Sequence, residues 1–245
     1  MTKILVTGGA GFIGSHIVER YQGKAEIRVL DNLRSGFLHN IKDFDCEFIQ
    51  GDITNRDDVA RAVEGVDYIF HLAAMISVPE SMSEIIECNR LNSIGMITVL
   101  EEAAKAGVKK LVLSTSAAIY GDNPVCPKVE TMFPEPKSPY AITKLDGEYY
   151  CDMFTKTGKL QTACLRYFNV FGRRQDPDGA YAAVIPKFLK QMLSGQVPTI
   201  NGDGKQSRDF TYIDNVIEAN LKIMGTSGVP RWAELLDTTG HSALA

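Results

Sequence analysis

Short apolar runs alternate along the chain with longer segments in which apolar residues recur every three or four positions. The short runs, rich in Val, Ile and Leu, predict strands, and the longer amphipathic segments predict helices. Alternation at this spacing is typical of βαβ units, so we expect an α/β fold built on a parallel sheet. The predicted strands are Lys3–Thr7, Ile27–Leu30, Cys46–Gln50, Tyr68–His71, Lys110–Ser114 and Gln161–Arg166. The predicted helices are Gly14–Tyr21, Arg56–Val63, Ile85–Ala106 and Tyr140–Thr155.

The pattern changes near Gly172, where loops rich in Gly, Pro and Asp surround two further predicted helices, Val184–Leu193 and Val216–Met224. We therefore divide the chain into a sheet-forming domain, residues 1–171, and a smaller C-terminal region, residues 172–245. The boundary is soft, because such a region is able to share its core with the sheet.

Composition and charge narrow the class of protein. Of the 245 residues, 44% are hydrophobic and 23% charged, enough apolar material for one or two packed domains. The net charge is −4 with dispersed basic residues, so neither nucleic acid nor a membrane surface is an expected partner. Five scattered cysteines without a CxxC pair indicate neither a disulfide framework nor a metal site. Because no signal-peptide pattern and no apolar run of about 18 residues occurs, we expect a soluble cytoplasmic protein.

A glycine-rich segment, ILVTGGAGFIGSH, joins the first predicted strand to the first helix. Gly9, Gly11 and Gly14 fit the pattern GxGxxG, and Gly8, Gly11 and Gly14 also fit GxxGxxG. Glycines at these places allow a tight turn and let backbone N–H groups approach a pyrophosphate at the helix N-terminus. The segment therefore predicts a dinucleotide-binding loop.

Acidic and small residues at the ends of the next strands refine this prediction. Asp31 follows the second strand, where a carboxylate accepts hydrogen bonds from an adenosine ribose and repels a 2′-phosphate, which favours NAD. Arg34 nearby leaves NADP open as an alternative. The segments Gly51–Ile53 and His71–Ala74 are predicted to line the adenine and ribose side, although core packing explains Ala73 and Ala74 equally well.

A strand that ends in hydroxyl residues, in the segment STSAAIYG at 114–121, is unusual for packing alone. Ligands sit at the carboxyl ends of strands in open α/β sheets, so these hydroxyls are candidates for substrate contact. Downstream, Ser138 is a predicted helix N-cap, and Tyr140 and Lys144 lie four apart on one helix face. An ammonium beside a phenol, together with an oxidised nicotinamide, is expected to lower the phenol pKa, which makes Tyr140 a candidate base.

Eight motifs in order resemble the extended branch of the short-chain dehydrogenase/reductase superfamily, the NAD-dependent epimerase/dehydratase enzymes that act on nucleotide sugars. They are TGGAGFIGSH, DNL, GDI, HLAA, STSAAIYG, YAITK, RYFNVFG and GDGKQSRDF, and they span Lys3 to about Met224. The resemblance implies a Rossmann-type doubly wound parallel sheet with NAD as cofactor and a UDP-sugar as substrate. It also implies a smaller substrate-binding region, which looks truncated here because family members usually continue further.

The resemblance assigns roles to individual residues. Ser116, Tyr140 and Lys144 are the implied catalytic residues, and Thr115 is a possible second hydroxyl contact. The implied cofactor-binding residues are Gly8, Gly11, Phe12, Ile13, Gly14, Asp31, Asn32, Asp52, Ile53, Leu72, Ala73, Ala74, Asn92, Ser114, Tyr140, Lys144 and Tyr167. The implied substrate-binding residues are Ser116, Tyr140, Asn169, Ala183, Val184 and Arg208.

Ala117 and Ala118 limit which reactions of this branch the chain is expected to catalyse. They occupy positions where its dehydratases and decarboxylases carry an acidic residue. Methyl groups cannot transfer protons, so oxidation and reduction at one carbon remains, as in a 4-epimerase of a UDP-hexose. Ala182 and Ala183 leave room for an N-acetyl group or simply pack at a helix start. An epimerase of a UDP-uronic acid or other nucleotide sugar, and a non-catalytic NAD-binding relative, remain alternatives. The resemblance also implies a homodimer through helices Ile85–Ala106 and Ser138–Thr155.

Overall fold

A computed structural model of the chain describes residues 1–178 and 183–225. The first part, up to the third strand and its helix, contains β1 (Lys3–Thr7), α1 (Phe12–Arg20), β2 (Glu26–Asp31), β3 (Glu47–Gln50) and α2 (Arg56–Val63). The middle part contains β4 (Tyr68–His71), α3 (Val78–Ser83), α4 (Ile85–Asn89), a π-helical turn (Arg90–Ile94), α5 (Gly95–Lys105) and β5 (Lys110–Ser116). The last part contains α6 (Pro139–Lys156), β6 (Gln161–Tyr167), β7 (Val170–Phe171), α7 (Val184–Leu193), β8 (Thr211–Tyr212) and α8 (Ile213–Gly225).

Six strands form one parallel sheet in the order β3-β2-β1-β4-β5-β6. The chain moves outward from β1 to β3 and then restarts on the other side at β4. This is the Rossmann-type doubly wound arrangement, as predicted from the alternation of strands and helices. The reversal between β1 and β4 opens a crevice at the carboxyl ends of these strands, which is where the predicted ligand-binding segments meet.

Each face of the sheet is covered by its own helical layer, because successive residues of a strand point to opposite faces. Leu5, Ile69 and Leu111 face the layer that contains α2, α5 and α6. Ile4, Phe70 and Val112 face the layer that contains α1 and α8. The strands are therefore held between two apolar layers of helices, which fixes the position of the side chains at their carboxyl ends.

Most predicted boundaries agree with the structure within a few residues, and the exceptions have local causes. The predicted helix Ile85–Ala106 is interrupted by the π-helical turn Arg90–Ile94. Strand β5 runs two residues further than predicted, because its pairing with β6 continues to Ser116↔Tyr167. Helix α3 and the two-residue strands β7 and β8, which pair in parallel, were not predicted; such short strands carry too little pattern.

Helix α8, in the C-terminal region, packs against the main sheet. Ile213, Ile217 and Ile223 belong to the same buried cluster as Ile4 and Val112 of the sheet. Within the described ranges no helix is long and apolar enough to cross a membrane.

A buried histidine connects the two central strands at the crevice. His71, at the end of β4, is 2% exposed, and its Nδ1 lies 2.7 Å from the Thr7 hydroxyl at the end of β1. The same hydroxyl accepts hydrogen bonds from the backbone N–H groups of Leu72 and Ala73. Burial, and then the nearby positive charge of Lys144, lower the pKa of His71 to about 3. His71 is therefore neutral at neutral pH.

This burial predicts a specific loss of stability in acid. The pKa of His71 is about 3 when folded and 6.5 otherwise, so between these values only the unfolded chain binds the proton. The free energy of unfolding should therefore fall, as pH drops from 6.5 towards 3, by up to about 1.4 kcal/mol per pH unit from this group. Urea unfolding at several pH values measures the slope for the parent and for His71→Asn, which should lack this contribution. His39→Asn, at an exposed histidine, should keep the parent slope; equal slopes in all three proteins would contradict the assignment.

Candidate active site

The glycine-rich loop between β1 and α1 is packed so tightly that side chains are excluded. Gly8 has φ +72°, and a Cβ there would lie 2.7 Å from the Ala73 nitrogen. A Cβ on Gly14 would lie 2.3 Å from the Gly8 carbonyl oxygen. The glycines therefore let the first turn of α1 approach the end of β1, and let the β4 loop close against it.

The N-terminus of α1 faces this loop without a side-chain cap. Gly11 is the N-cap residue, and it makes no side-chain capping hydrogen bond. Phe12, Ile13 and Gly14 form the first turn, whose backbone N–H groups have no partner within the helix. These N–H groups and the positive end of the helix dipole suit a pyrophosphate.

Asp31 lies at the end of β2 and shapes the loop. Its Oδ2 accepts a hydrogen bond from the Ala10 N–H at 3.0 Å, and its Oδ1 accepts one from the Leu33 N–H at 2.8 Å. Burial of the carboxylate raises the pKa of Asp31, and these two hydrogen bonds act in the opposite direction. Each oxygen keeps capacity for a second donor, so a ribose hydroxyl fits here beside the backbone contacts.

Two neighbouring groups complete the adenosine side. The Asn32 Nδ2 donates to Asp52 Oδ2 at 3.3 Å, which brings together two residues predicted from separate strands. Ile53, predicted to contact the cofactor, is 6% exposed and packs in the core. The Arg34 guanidinium, the one feature that favoured NADP, instead forms ion pairs with Glu80 and Glu87.

The predicted hydroxyl and phenol meet across the crevice. Ser116 ends β5, and its Oγ accepts a hydrogen bond from the Ala118 N–H at 3.1 Å. Tyr140, in the first turn of α6, lies near this Ser116 hydroxyl. The Tyr140 ring packs against a small buried cluster of Met75, Cys88 and Leu91. The tip of the strand and the start of the helix thus present two hydroxyls to the same place.

The pKa of Tyr140 differs from the expectation. Burial raises the pKa of Tyr140, the nearby Ser116 hydroxyl lowers it by less, and Cys88 adds a further increase. The predicted lowering by Lys144 is therefore wrong for the protein by itself, because desolvation of the phenolate outweighs the other influences. The Lys144 Nζ nevertheless lies 5.7 Å from the centre of the Tyr140 ring.

Lys144 is buried and held by the strand. Its Nζ donates to the Ser114 carbonyl oxygen at 2.9 Å. Burial lowers the pKa of Lys144 to about 8, so the ammonium form still dominates at pH 7. Two further N–H groups remain on this ammonium for a ribose, so the predicted role fits the geometry.

Thr115 does not point into the crevice, which corrects the expectation of a second substrate contact. The side chain is 2% exposed and its hydroxyl donates to Glu148 Oε1 at 2.7 Å. The same hydroxyl accepts the Ser116 N–H at 2.6 Å. Alternation along the strand turns Thr115 towards α6, and Glu148 was missed because its partners are distant in sequence.

Three other predicted cofactor residues are engaged by the protein. The Asn92 amide, in the π-helical turn, accepts from the Met75 N–H at 2.7 Å and donates to the Met75 carbonyl at 3.0 Å, which fixes the loop after β4. The Ser114 carbonyl oxygen accepts a hydrogen bond from Lys144, and the Tyr167 hydroxyl contacts the Asn220 side chain of α8 at 3.0 Å. Asn92 is thus placed to position the site through the backbone.

The predicted substrate residues lie in the C-terminal region. The Asn169 Nδ2 donates to the Asp209 carbonyl oxygen at 2.9 Å, so Asn169 lies beside the segment that carries Arg208. Arg208 is exposed, with one hydrogen bond to the Ser207 carbonyl at 2.7 Å. Ala183 and Val184 form the exposed start of α7. Ala182, proposed to leave room for an N-acetyl group, lies outside the described residues.

Residues 4–231 match the model of the NAD dependent epimerase/dehydratase family. A putative UDP-glucose 4-epimerase from Methanocaldococcus jannaschii is 41% identical over 221 residues, 89% of this chain and 72% of the relative. A UDP-N-acetyl-alpha-D-glucosaminuronate decarboxylase from Bacillus cytotoxicus is 33% identical over 230 residues, 91% of this chain and 71% of the relative.

Solved structures agree with this similarity. A UDP-glucose 4-epimerase from Thermotoga maritima with UDP-glucose has a TM-score of 0.88 and 41% identity, covering 92% of this chain and 74% of that one. A UDP-N-acetylglucosamine 4-epimerase from Methanobrevibacter ruminantium in complex with UDP-N-acetylmuramic acid has a TM-score of 0.86 and 40% identity, covering 90% and 72%. A UDP-glucose 4-epimerase from Thermus thermophilus in complex with NAD has a TM-score of 0.85 and 36% identity, covering 93% and 76%.

The glycine contacts predict that Gly14→Ala loses bound dinucleotide. The new methyl group would lie 2.3 Å from the Gly8 oxygen, so the loop must shift and its N–H groups lose their alignment. The NAD released on denaturation, per mole of protein, measures the effect. Gly23→Ala is the control: its φ of +70° strains an alanine, but no atom lies within 4 Å, so it should lower stability and keep NAD. A full NAD content in Gly14→Ala would contradict the assignment of the loop.

Proposed function

We propose that this chain, which belongs to the NAD dependent epimerase/dehydratase family, is a 4-epimerase of a UDP-hexose. The observation that supports this most is the cluster at the end of β5: Ser116 near Tyr140, the buried Lys144 beside the phenol, and alanines at 117 and 118. The cluster provides one acid–base group at one carbon and no second one.

The three residues Ser116, Tyr140 and Lys144 have separate proposed roles in the reaction at the sugar C4 hydroxyl. Tyr140 accepts the hydroxyl proton, and Ser116 donates a hydrogen bond to the same oxygen, which orients it. Lys144 binds the nicotinamide ribose through the N–H groups that the Ser114 carbonyl leaves free. When bound, NAD would accept the C4 hydride and return it to the other face of the 4-keto sugar, and its positive charge when oxidised would favour the phenolate form of Tyr140. Tyr140 would then give its proton back to the C4 oxygen, which completes the epimer.

Elimination and decarboxylation fit this cluster less well, although decarboxylases occur among the relatives. Both reactions in this branch use an acidic residue just after the catalytic hydroxyl. Here a short 3₁₀ turn, Ala117–Tyr120, follows Ser116 and offers methyl groups and a backbone N–H at those places. Methyl groups transfer no proton, so a reaction that needs a second acid–base group lacks it at this turn.

The proposed substrate is UDP-glucose or UDP-galactose, the N-acetylated UDP-hexoses, or both. Asn169 and Arg208 are proposed to hold the diphosphate, because an amide and an exposed guanidinium lie on adjoining segments. The start of α7, at Ala183 and Val184, is proposed to lie near the uracil.

We also propose a homodimer. Helix α6 exposes an apolar stripe on its outer face, where Ile142, Tyr149 and Met153 are 52%, 62% and 44% exposed. Ile86 and Ile94, on the neighbouring helical segments, are exposed as well. Exposed apolar patches of this kind are typical of protein–protein interfaces, and a second copy would cover both helices with its own pair.

Activity is tested by incubating the protein with UDP-glucose, UDP-N-acetylglucosamine and UDP-glucuronic acid separately. We expect the C4 epimer of a neutral UDP-hexose and no release of CO₂. Tyr140→Phe removes only the hydroxyl, so it should keep fold and NAD while turnover falls by about 10²–10⁴-fold, the usual contribution of a positioned acid–base group. Chromatographic separation of the epimers measures the rates.

Tyr149→Phe is the matched control, because it makes the same change on the outer face of the same helix. It should keep the parent rate. Two results would contradict the proposed function: near-parent epimerisation by Tyr140→Phe with NAD bound, or a decarboxylated product from the parent.

The proposed dimer predicts that Ile142→Asp is monomeric, because association would bury an unpaired carboxylate. Sedimentation at matched concentrations measures the change. Leu193→Asp, on α7 outside this face, places the same charge at an 88% exposed position and should sediment like the parent. A parent that sediments as a monomer, or an Ile142→Asp variant that remains a dimer, would refute this interface.

A further inference from the structure

A buried polar network lies behind the Ser116–Tyr140 pair. Thr115 separates Ser114 from Ser116 on β5, and its hydroxyl accepts the Ser116 N–H at 2.6 Å. The same hydroxyl donates to Glu148 Oε1 at 2.7 Å. One buried hydroxyl therefore links the peptide group of Ser116 to a carboxylate on α6.

Glu148 is itself rigidly held. The Arg166 Nε donates to its Oε1 at 2.9 Å and the Arg166 Nη2 to its Oε2 at 2.6 Å, with both side chains 15% exposed. Arg166 lies on β6 directly opposite Thr115 in the strand register. A forked pair of this kind fixes the carboxylate in both direction and distance.

Helix α6 connects Glu148 to the Tyr140 phenol. Glu148 lies on α6 two turns after Tyr140, about 12 Å along the helix axis. The network therefore lies behind the reacting groups, while it connects the strand that carries one hydroxyl to the helix that carries the other.

The geometry points to the Thr115–Glu148 hydrogen bond as a positioning element that, together with the Lys144–Ser114 hydrogen bond, fixes the distance between the Ser116 hydroxyl and the Tyr140 phenol. The inference rests on the proposed function, since the distance matters because both hydroxyls act on one substrate oxygen. A displacement of about 1 Å between such groups is enough to reduce a rate by about 10²-fold.

Thr115→Val tests the bond and leaves the Glu148–Arg166 pair in place, because valine keeps the shape and removes the hydroxyl. We expect kcat to fall by about 10- to 100-fold, with KM and NAD content unchanged. Thr115→Ser restores the hydroxyl and should recover most of the rate. The control is Thr162→Val, which removes another buried hydroxyl between α6 and β6, one that donates to the Cys151 carbonyl at 2.8 Å. It should change stability but not kcat per folded molecule.

A second measurement does not need turnover. With tyrosine labelled at ¹³Cζ, the Tyr140 resonance is identified by its absence from Tyr140→Phe and reports hydrogen bonding at the phenol. Thr115→Val should move this resonance in the same direction as Ser116→Ala, whereas Thr115→Ser and Thr162→Val should leave it at the parent position.

Glu148→Gln tests the other end of the bond. Because both changes act through one contact, the double variant with Thr115→Val should have a kcat close to that of the slower single variant. A double variant in which the two reductions of kcat multiply would overturn the inference. A Thr115→Val protein with the parent rate and the parent resonance would overturn it as well. If Glu148→Gln does not fold, the Thr115 variants decide alone. If the parent converts no nucleotide sugar, the proposed function fails, and the resonance alone then supports or overturns the positioning.

Discussion

The hydrogen bond from the buried Lys144 ammonium to the Ser114 carbonyl is the contact on which the arrangement of the site depends. It joins the strand that ends in Ser116 to helix α6, whose first turn carries Tyr140. The carbonyl lies where β5 runs three residues beyond its last pairing with β4, His71↔Leu113, so one edge of the strand has no strand partner there. Burial destabilises the ammonium form and so lowers the pKa of Lys144 to about 8. Most Lys144 side chains are still charged at neutral pH.

A second constraint, close backbone approach, governs the cofactor side. The turn after β1 accepts no side chain at Gly8 or Gly14, and Asp31 fixes the same turn through the Ala10 N–H. His71 remains neutral because of burial and of Lys144, so the hydrogen bond to Thr7 is kept without adding a second positive charge to the crevice. The carboxyl ends of β1, β2 and β4 are thereby held in one geometry before any ligand binds.

The inner and outer faces of helix α6 have different roles. Its inner face carries Tyr140, Lys144 and Glu148, about one per turn. Tyr140 lies near Ser116, while Lys144 and Glu148 are hydrogen-bonded to Ser114 and Thr115 of β5. Its outer face carries the apolar residues Ile142, Tyr149 and Met153. If two copies associate through that outer face, as we propose, the interface would stiffen the same helix that positions the phenol.

The sequence alone determined the alternating α/β architecture, the glycine-rich loop and the Tyr140–Lys144 pair, because each is encoded over a few neighbouring residues by periodicity or short spacing. It also placed hydroxyls at the end of β5. Which hydroxyl enters the crevice was decided only by the tertiary structure: pairing with β6 extends the strand to Ser116 and turns Thr115 towards Glu148. The raised pKa of Tyr140 and the engagement of Arg34 by Glu80 and Glu87 likewise follow from burial and contacts between distant segments. Such properties depend on desolvation and on which side chains meet in space, and no local pattern carries that information.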